Sequence, residues 1–267
     1  MSLRRLFAIA LRQFYLLRGS AARFLPLFAW VTIDMVLWGF MTRYLNSVTG
    51  SRYHFVPALL GAVLFWDLMT RVMQGVTTAF FEDVWSRNFL NVFASPITTR
   101  EYISGLLLSS IATSSVGLVF MVIVATAVFG LSFAVYGFLA IPFVLVLFLF
   151  GLALGVAGSA IVLRLGPAAE WFVWPIPALL SPLAAVYYPL ATLPEWMRWV
   201  ARLLPPSYVF EGMRAIVAGR AFHGAVLAGA GALALLYVLL AYWFFASVFR
   251  YAVQTGLIAR YSAESVS

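Results

Sequence analysis

The sequence predicts an all-α integral membrane protein, because of its composition and the spacing of its apolar residues. Of the 267 residues, 64% are hydrophobic and 10% are charged, whereas soluble chains average about 25% charged residues. The apolar residues form blocks of the length that crosses a bilayer, about 20 residues. We expect one domain over residues 1–267, with six transmembrane helices, an N-terminal amphipathic interfacial helix and a re-entrant helical hairpin between spans five and six. The spans are predicted at residues 24–44, 54–81, 102–130, 135–163, 171–188 and 225–249.

Two missing residue types exclude several kinds of chemistry. All 17 basic residues are arginine, so the chain lacks the lysine that a phosphate-binding loop or a Schiff-base enzyme requires. It also contains no cysteine, which excludes disulfides and thiol catalysis. We therefore expect no enzyme activity, cofactor or metal in this chain. A metal or catalytic pair that uses His54 and His223 stays as an alternative.

The net charge of +8 indicates contact with anionic membrane lipids and not with nucleic acid. Basic residues of membrane proteins concentrate in cytoplasmic loops, where the membrane surface is negative. Six spans place both termini on one side. With that side in the cytoplasm more arginines lie inside than outside, so we expect both termini to be cytoplasmic.

Residues 1–23 predict a helix that lies in the membrane surface. Arg4, Arg5 and Arg12 share one side of the helix, and an apolar stripe occupies the opposite side. A basic amphipathic helix of this kind lies parallel to the bilayer with its apolar face among the lipids. The stripe consists of Leu3, Leu6, Phe7, Ala10, Leu11, Phe14 and Leu17.

Three charged residues lie well inside predicted spans, away from the span ends. Asp34 is in span one, and Asp67 and Arg71 lie four residues apart on one face of span two. A carboxylate at mid-membrane costs roughly 2.5–3.5 kcal/mol on insertion scales, so each should face protein or water. Two interpretations stay open: these residues link helices, or they form a substrate or ion site.

Small residues mark two helix-packing faces. The first half of span three is rich in serine, threonine and alanine from Ser109 to Gly117. In span four, Gly151, Gly155 and Ser159 recur every four residues. Small residues let helix backbones approach closely within lipid, so both stretches predict helix–helix contacts.

The loop at residues 82–101 is the main polar interruption of the first half. Trp85, Phe89, Val92 and Phe93 recur at three- and four-residue steps, which predicts a short amphipathic helix over about 84–93. Pro96 prevents the preceding helix from continuing. Thr98-x-x-Glu101 then predicts a capping box that starts the next helix.

Residues 189–219 follow a fifth span that Pro175, Pro177 and Pro182 must kink or break. They predict two helices of about ten residues each, which are too short to cross a bilayer. We interpret the pair as a re-entrant hairpin that enters from the outer face.

Local signals set the limits of the two hairpin helices. Thr192-x-x-Glu195, with Pro194 in the first turn, predicts a capping box for the first helix. Pro205 and Pro206 end that helix. Ser207 is predicted to cap the second, which ends at Gly219. Within it, Glu211 and Arg214 are expected to form a local, solvated ion pair.

Two segments together resemble the permease subunits of type-2 ABC transporters. The first is ASPITTREYISG between spans two and three, and the second is YPLATLPEWMRWVARLLPPSYVFEGMR before span six. The second segment is similar to the outer hairpin motif of that family, although Leu204 replaces the usual asparagine before the central proline. The most specific matching positions are Pro189, Leu190, Leu193, Pro194, Pro205, Pro206, Tyr208, Glu211 and Arg214. The candidate residues of the outer hairpin are Pro194, Glu195, Pro205, Pro206, Glu211 and Arg214.

The resemblance implies an exporter in a bacterial plasma membrane. It implies a dimer of two permease copies, with two copies of a separate ATPase subunit that binds ATP and Mg. The loop helix around Trp85 would be the coupling helix that fits into the ATPase, and the first helix would be a gate helix beside it. The implied ATPase-coupling residues are Glu82, Asp83, Trp85, Arg87 and Phe89.

The substrate class stays broad: a lipid, a polysaccharide or an amphipathic drug-like compound. The alternative function is an ion-coupled secondary transporter that uses Asp34, Asp67 and Arg71.

Overall fold

The computed structural model describes residues 3–20, 25–49, 56–86 and 95–257. Every regular element in these ranges is helical, which confirms the predicted all-α class. The α-helices are α1 (Leu3–Arg18), α2 (Pro26–Thr49), α3 (Gly61–Trp85), α4 (Thr99–Phe129), α5 (Ala140–Leu165), α6 (Glu170–Val173), α7 (Ile176–Leu183), α8 (Glu195–Arg202), α9 (Pro205–Val217) and α10 (Gly224–Gln254). A π-helical turn, Val56–Leu60, precedes α3, and a 3-10 segment, Phe133–Leu139, precedes α5.

Four of the described helical segments are long and apolar enough to cross a membrane. They are Ala58–Trp85, Thr99–Phe129, Phe133–Leu165 and Gly224–Gln254. The chain is therefore a multi-pass membrane protein.

The first and fifth predicted spans differ from these four. Helix α2 has 24 residues but includes the charged residues Asp34 and Arg43. The fifth segment is split into α6 and α7 at Pro175, and Pro182 lies inside α7. This break is the one that the prolines predict, because proline has no backbone N–H to continue a helix. The count of six spans stays a prediction.

Helix α3 lies at the centre of the bundle. In its most apolar stretch 67% of the residues are buried, against 22% for α4 and for α10. Helices α4 and α5 pack on two sides of it, and α10 packs against α5. Helix α3 is therefore the element against which both α4 and α5 are positioned.

The glycine stripe of α5 is the surface that contacts α3. A Cβ atom added to Gly151 would lie 2.6 Å from the carbonyl oxygen of Met69, and one added to Gly155 would lie 2.8 Å from that of Met73. Both distances are shorter than van der Waals contact, so only glycine allows this approach of the two backbones. The predicted packing role of this stripe is confirmed.

One of the two predicted capping boxes is confirmed. The Glu101 amide donates to Thr98 Oγ1 at 3.2 Å, and the Thr98 amide donates to Glu101 Oε2 at 3.1 Å. Helix α4 therefore begins where the sequence predicts.

The prediction of a capping box at Thr192 is wrong. Leu193 and Pro194 are extended, helix α8 begins only at Glu195, and the Thr192 hydroxyl donates to the Pro189 carbonyl at 2.7 Å. The physical reason is that proline disfavours helical backbone angles in the residue that precedes it. Leu193 therefore cannot be the first residue of a helix capped by Thr192.

The prediction that Ser207 caps the second hairpin helix is also wrong. Helix α9 begins at Pro205, and Leu204 precedes it with no side-chain cap. Ser207 lies in the first turn, where its hydroxyl contacts the carbonyls of Ala201 and Leu204. Proline suits the first position of a helix because its fixed φ is already helical and it has no amide to cap.

The packing of α5 on α3 predicts a difference between two glycine substitutions. Gly155→Ala should lower the stability of the protein by about 1–3 kcal/mol, the usual cost of overpacking. Gly229→Ala should have little effect, because no atom lies within 4 Å of the added Cβ. Thermal unfolding of the detergent-solubilised protein, followed by tryptophan fluorescence, measures both. Equal shifts in Tm would contradict the close contact.

Candidate functional site

A buried carboxylate joins three helices at the end of the bundle that includes the loop between α3 and α4. Asp83, in the last turn of α3, has no solvent exposure. Its Oδ1 accepts a hydrogen bond from the Arg12 guanidinium of α1. Its Oδ2 accepts one from the Tyr102 hydroxyl of α4 at 2.8 Å. A buried carboxylate needs such partners, because leaving one unpaired costs several kcal/mol.

Three further contacts hold α1 on this surface. Gln13 Nε2 donates to the Ala79 carbonyl at 3.2 Å, and Arg5 lies 3.5 Å from the Glu101 carboxylate. Ile9 of α1 is buried against Gly105 of α4. A Cβ atom added to Gly105 would lie only 2.7 Å from the Ile9 side chain, so the two helices approach closely here. We name this set of contacts between α1 and the ends of α3 and α4 the cytoplasmic junction, after the side of the membrane on which we predict it to lie.

The apolar stripe of α1 stays largely uncovered. Phe7, Leu11 and Phe14 are exposed, with Phe7 at 64%. Apart from the buried Ile9, the helix therefore turns polar side chains toward the bundle and much of its apolar stripe toward its surroundings. An uncovered apolar stripe is what a helix that lies at a membrane surface turns toward the lipids.

Trp85 connects the end of α3 to the start of the split fifth segment. Its indole Nε1 donates to Glu170 Oε2 at 3.0 Å, and Glu170 is the first residue of α6. Phe81, one turn earlier, contacts the rings of both Trp85 and Trp174. Trp85 is nevertheless half exposed, at 50%. It can therefore also contact a partner.

The structure covers part of the proposed coupling segment. Glu82, Asp83 and Trp85 belong to the last turn of α3, and Ser86 follows it as the C-cap. Arg87, Phe89 and most of the helix predicted over 84–93 lie outside the described residues. Two acidic residues of this turn are described. Asp83 is buried and binds Arg12 of α1, whereas Glu82 is partly exposed.

The three intramembrane ionisable residues lie close together. Asp34 of α2 interacts electrostatically with both Asp67 and Arg71 of α3. Oδ2 of Asp67 is buried without a hydrogen-bond partner in the described part of the chain. Arg71 lies against α4, because a Cβ on Gly117 would be 3.4 Å from its Nη1. Two carboxylates and one guanidinium from two helices therefore form a polar cluster inside the bundle.

Glu211 and Arg214 form a clamp and not a solvated pair. Glu211 Oε1 accepts from Arg214 Nη2 at 2.9 Å and from the Leu190 amide at 2.7 Å. Arg214 also donates to the carbonyls of Ala185 (2.9 Å) and Val186 (3.1 Å). The prediction of a solvated pair is wrong, because the planar guanidinium binds a carboxylate and two carbonyls at once and is only 14% exposed.

The clamp stabilises an unusual turn after α7. Ala185 has a φ of +52°, a left-handed conformation that residues with a Cβ rarely adopt. The other hairpin positions have simpler roles. Pro205 and Pro206 are buried at the start of α9, whereas Pro194 and Glu195 are exposed at the start of α8.

The described residues include no group of three or more histidine, aspartate or glutamate side chains placed to hold a metal ion. His223 directly precedes α10, and His54 lies outside the described residues.

A family model for ABC-2 type transporters matches residues 5–218. The chain belongs to the ABC-2 type transporter family. It is thus the transmembrane component of a transporter, and this family implies a partner ATPase. The match includes the described parts of the cytoplasmic junction, the intramembrane cluster and the outer clamp, and it ends before α10. No protein of curated function matches the sequence.

The junction of this ABC-2 protein predicts unequal effects of two arginine substitutions on α1. Arg12→Gln should destabilise the protein by about 3 kcal/mol or more, because it leaves the Asp83 charge buried without its cation. Arg4→Gln should change stability little, since Arg4 is exposed. Adding Asp83→Asn to Arg12→Gln should recover part of the loss. Thermal unfolding of the wild type, Arg12→Gln, Asp83→Asn and the double variant forms a double-mutant cycle, and additive effects would contradict the pairing.

Proposed function

We propose that this protein is the membrane subunit of an ATP-driven exporter. Two copies form the transport path, and two ATPase subunits bind ATP and Mg and dock at the α3–α4 loop, one on each copy. The chain itself holds no cofactor and catalyses no reaction. The cytoplasmic junction carries this proposal, because the loop that would receive the ATPase follows directly on Asp83 and Trp85.

The contacts of the junction support a transmission route. Asp83 ties the end of α3 to α1 and α4, and Trp85 ties it to Glu170 of α6. A displacement of the loop therefore moves three helices and the start of the fifth segment together. We propose that ATP-driven closure of the ATPase subunits produces this displacement, which separates α2 from the α6–α7 segment across the dimer.

We propose six membrane segments in a bacterial plasma membrane, with both termini in the cytoplasm. Helix α2 forms the first segment and the broken pair α6–α7 the fifth. Helices α8 and α9 form the outer re-entrant hairpin. The exposed indoles of Trp196 (64%) and Trp199 (60%) support an interfacial position for α8, because tryptophan concentrates at membrane–water boundaries.

Exposed aromatic side chains support both the dimer and the substrate class. Trp30 and Phe40 of α2 and Trp171 and Phe172 of α6 are all more than half exposed. We propose that a second copy covers part of this surface. A lipid, polysaccharide or amphipathic drug-like substrate suits a path with such walls, because each has faces that pack on aromatic rings.

The proposed ATPase contact predicts that Trp85→Ala and Phe89→Ala weaken the complex. Each should lower the affinity for the co-expressed ATPase about tenfold or more, since buried interface aromatics often contribute 2 kcal/mol or more. Trp196→Ala, on the predicted outer face, is the matched control. Co-purification and the ATPase rate in proteoliposomes measure the effect. Wild-type binding and ATPase rates in both loop variants would refute the coupling site.

The intramembrane cluster favours one second candidate, an ion-coupled transporter. Asp34, Asp67 and Arg71 converge from two helices, and intramembrane ionisable groups mark ion pathways in many transporters. Proteoliposomes that contain only this protein and a pH-sensitive dye test it. Proton uptake under an imposed gradient that Asp67→Asn abolishes would favour this candidate. If the wild-type protein takes up no more protons than Asp67→Asn does, a proton-coupled mechanism is excluded.

A further inference from the structure

A groove separates the start of α4 from the last turns of α10. Its volume is about 650 Å³. Thr98, Thr99 and Arg100 form the α4 side. The α10 side consists of Tyr242, Ala246, Phe249 and Arg250. Both helices are long and apolar enough to cross a membrane. The groove lies at one end of both, the end at which we expect the membrane to meet water.

The mouth of the groove is positively charged. Arg100 and Arg250 both line it, and neither has a carboxylate partner among the residues that the structure describes. The contact of Arg250 with Ser247 Oγ is long, at 3.5 Å. The nearest acid in sequence, Glu101, is buried and bound to Thr98 and Arg5, so it does not neutralise the groove. The first turn of α4 adds the positive end of its helix dipole.

The interior of the groove is apolar. Tyr242 and Arg250 are eight residues apart on α10, which corresponds to about 12 Å along the helix axis. Ala246 and Phe249 lie between them on the same wall. Phe245, the neighbour of Ala246 on α10, meets Phe80 of α3 edge to face with ring centroids 6.0 Å apart. The surface therefore changes from cationic to apolar along the direction of the helices.

We propose that this groove binds one anionic phospholipid. The headgroup phosphate lies between Arg100 and Arg250, and an acyl chain runs along Ala246 toward Tyr242. The charge of the mouth selects an anion, and the apolar wall of about 12 Å selects one that carries a hydrocarbon chain. A soluble phosphate would use only the mouth of the groove. The α10 wall lies outside the region that the family model matches.

The test uses the full-length protein, delipidated in detergent, and titrations followed by native mass spectrometry. Phosphatidylglycerol is compared with phosphatidylcholine of the same chains. We expect one phosphatidylglycerol to bind at least tenfold more tightly than phosphatidylcholine. The double variant Arg100→Gln, Arg250→Gln should lose this preference. The control Arg198→Gln, Arg220→Gln removes the same charge from two exposed arginines at the other end of the bundle and should keep it.

A second variant separates the groove from general surface charge. Ala246→Trp fills the apolar wall without changing any charge and should also lower phosphatidylglycerol affinity about tenfold. Three results would overturn the proposal: no preference for phosphatidylglycerol, an equal loss in the Arg198/Arg220 control, or full affinity in Ala246→Trp. Displacement of the lipid by equimolar inorganic phosphate would also overturn it. None of these readouts depends on transport, so failure here leaves the exporter proposal standing.

Discussion

The structure depends on one buried carboxylate, that of Asp83. A charged group without solvent exposure is tolerated only when its partners replace the lost hydration. Arg12 and Tyr102 supply those partners from two different helices. The need to pair the Asp83 carboxylate therefore fixes the positions of α1 and α4 relative to the end of α3. The amphipathic helix α1 cannot leave the bundle without exposing or stranding the charge of Asp83.

The constraint has mechanical consequences because α3 is central. Its close contact with α5, through Gly151 and Gly155, leaves little room for movement between the two helices. Its last turn, in contrast, carries Asp83 and Trp85, whose partners lie on α1, α4 and α6. The rigid middle and the multiply bonded end suit a helix that transmits displacement from the loop to its neighbours.

The opposite end of the bundle uses the same physical principle for a different purpose. The Glu211–Arg214 clamp holds backbone carbonyls and an amide of the turn after α7, where Ala185 adopts a left-handed conformation. Ala185 and Val186 are buried, and backbone polar groups in a buried turn need partners of their own, because water does not reach them. The fixed planar geometry of the Arg214 guanidinium lets one side chain bind several of these groups at once.

The sequence by itself determined the helical class, the break at Pro175, the start of α4 and the glycine face of α5. Each follows from local chemistry: apolar length, a missing amide, a capping box, and small residues at four-residue spacing. The sequence misplaced the start of α9 and the cap of α8, because the extended backbone before Pro194 and the helix-starting role of Pro205 outweighed the hydroxyl residues.

Only the tertiary structure decided which charges meet. Arg12 and Asp83 are 71 residues apart, and Asp34 joins Asp67 from another helix. Such partners are chosen by helix packing, which brings together side chains that no periodicity within one helix relates.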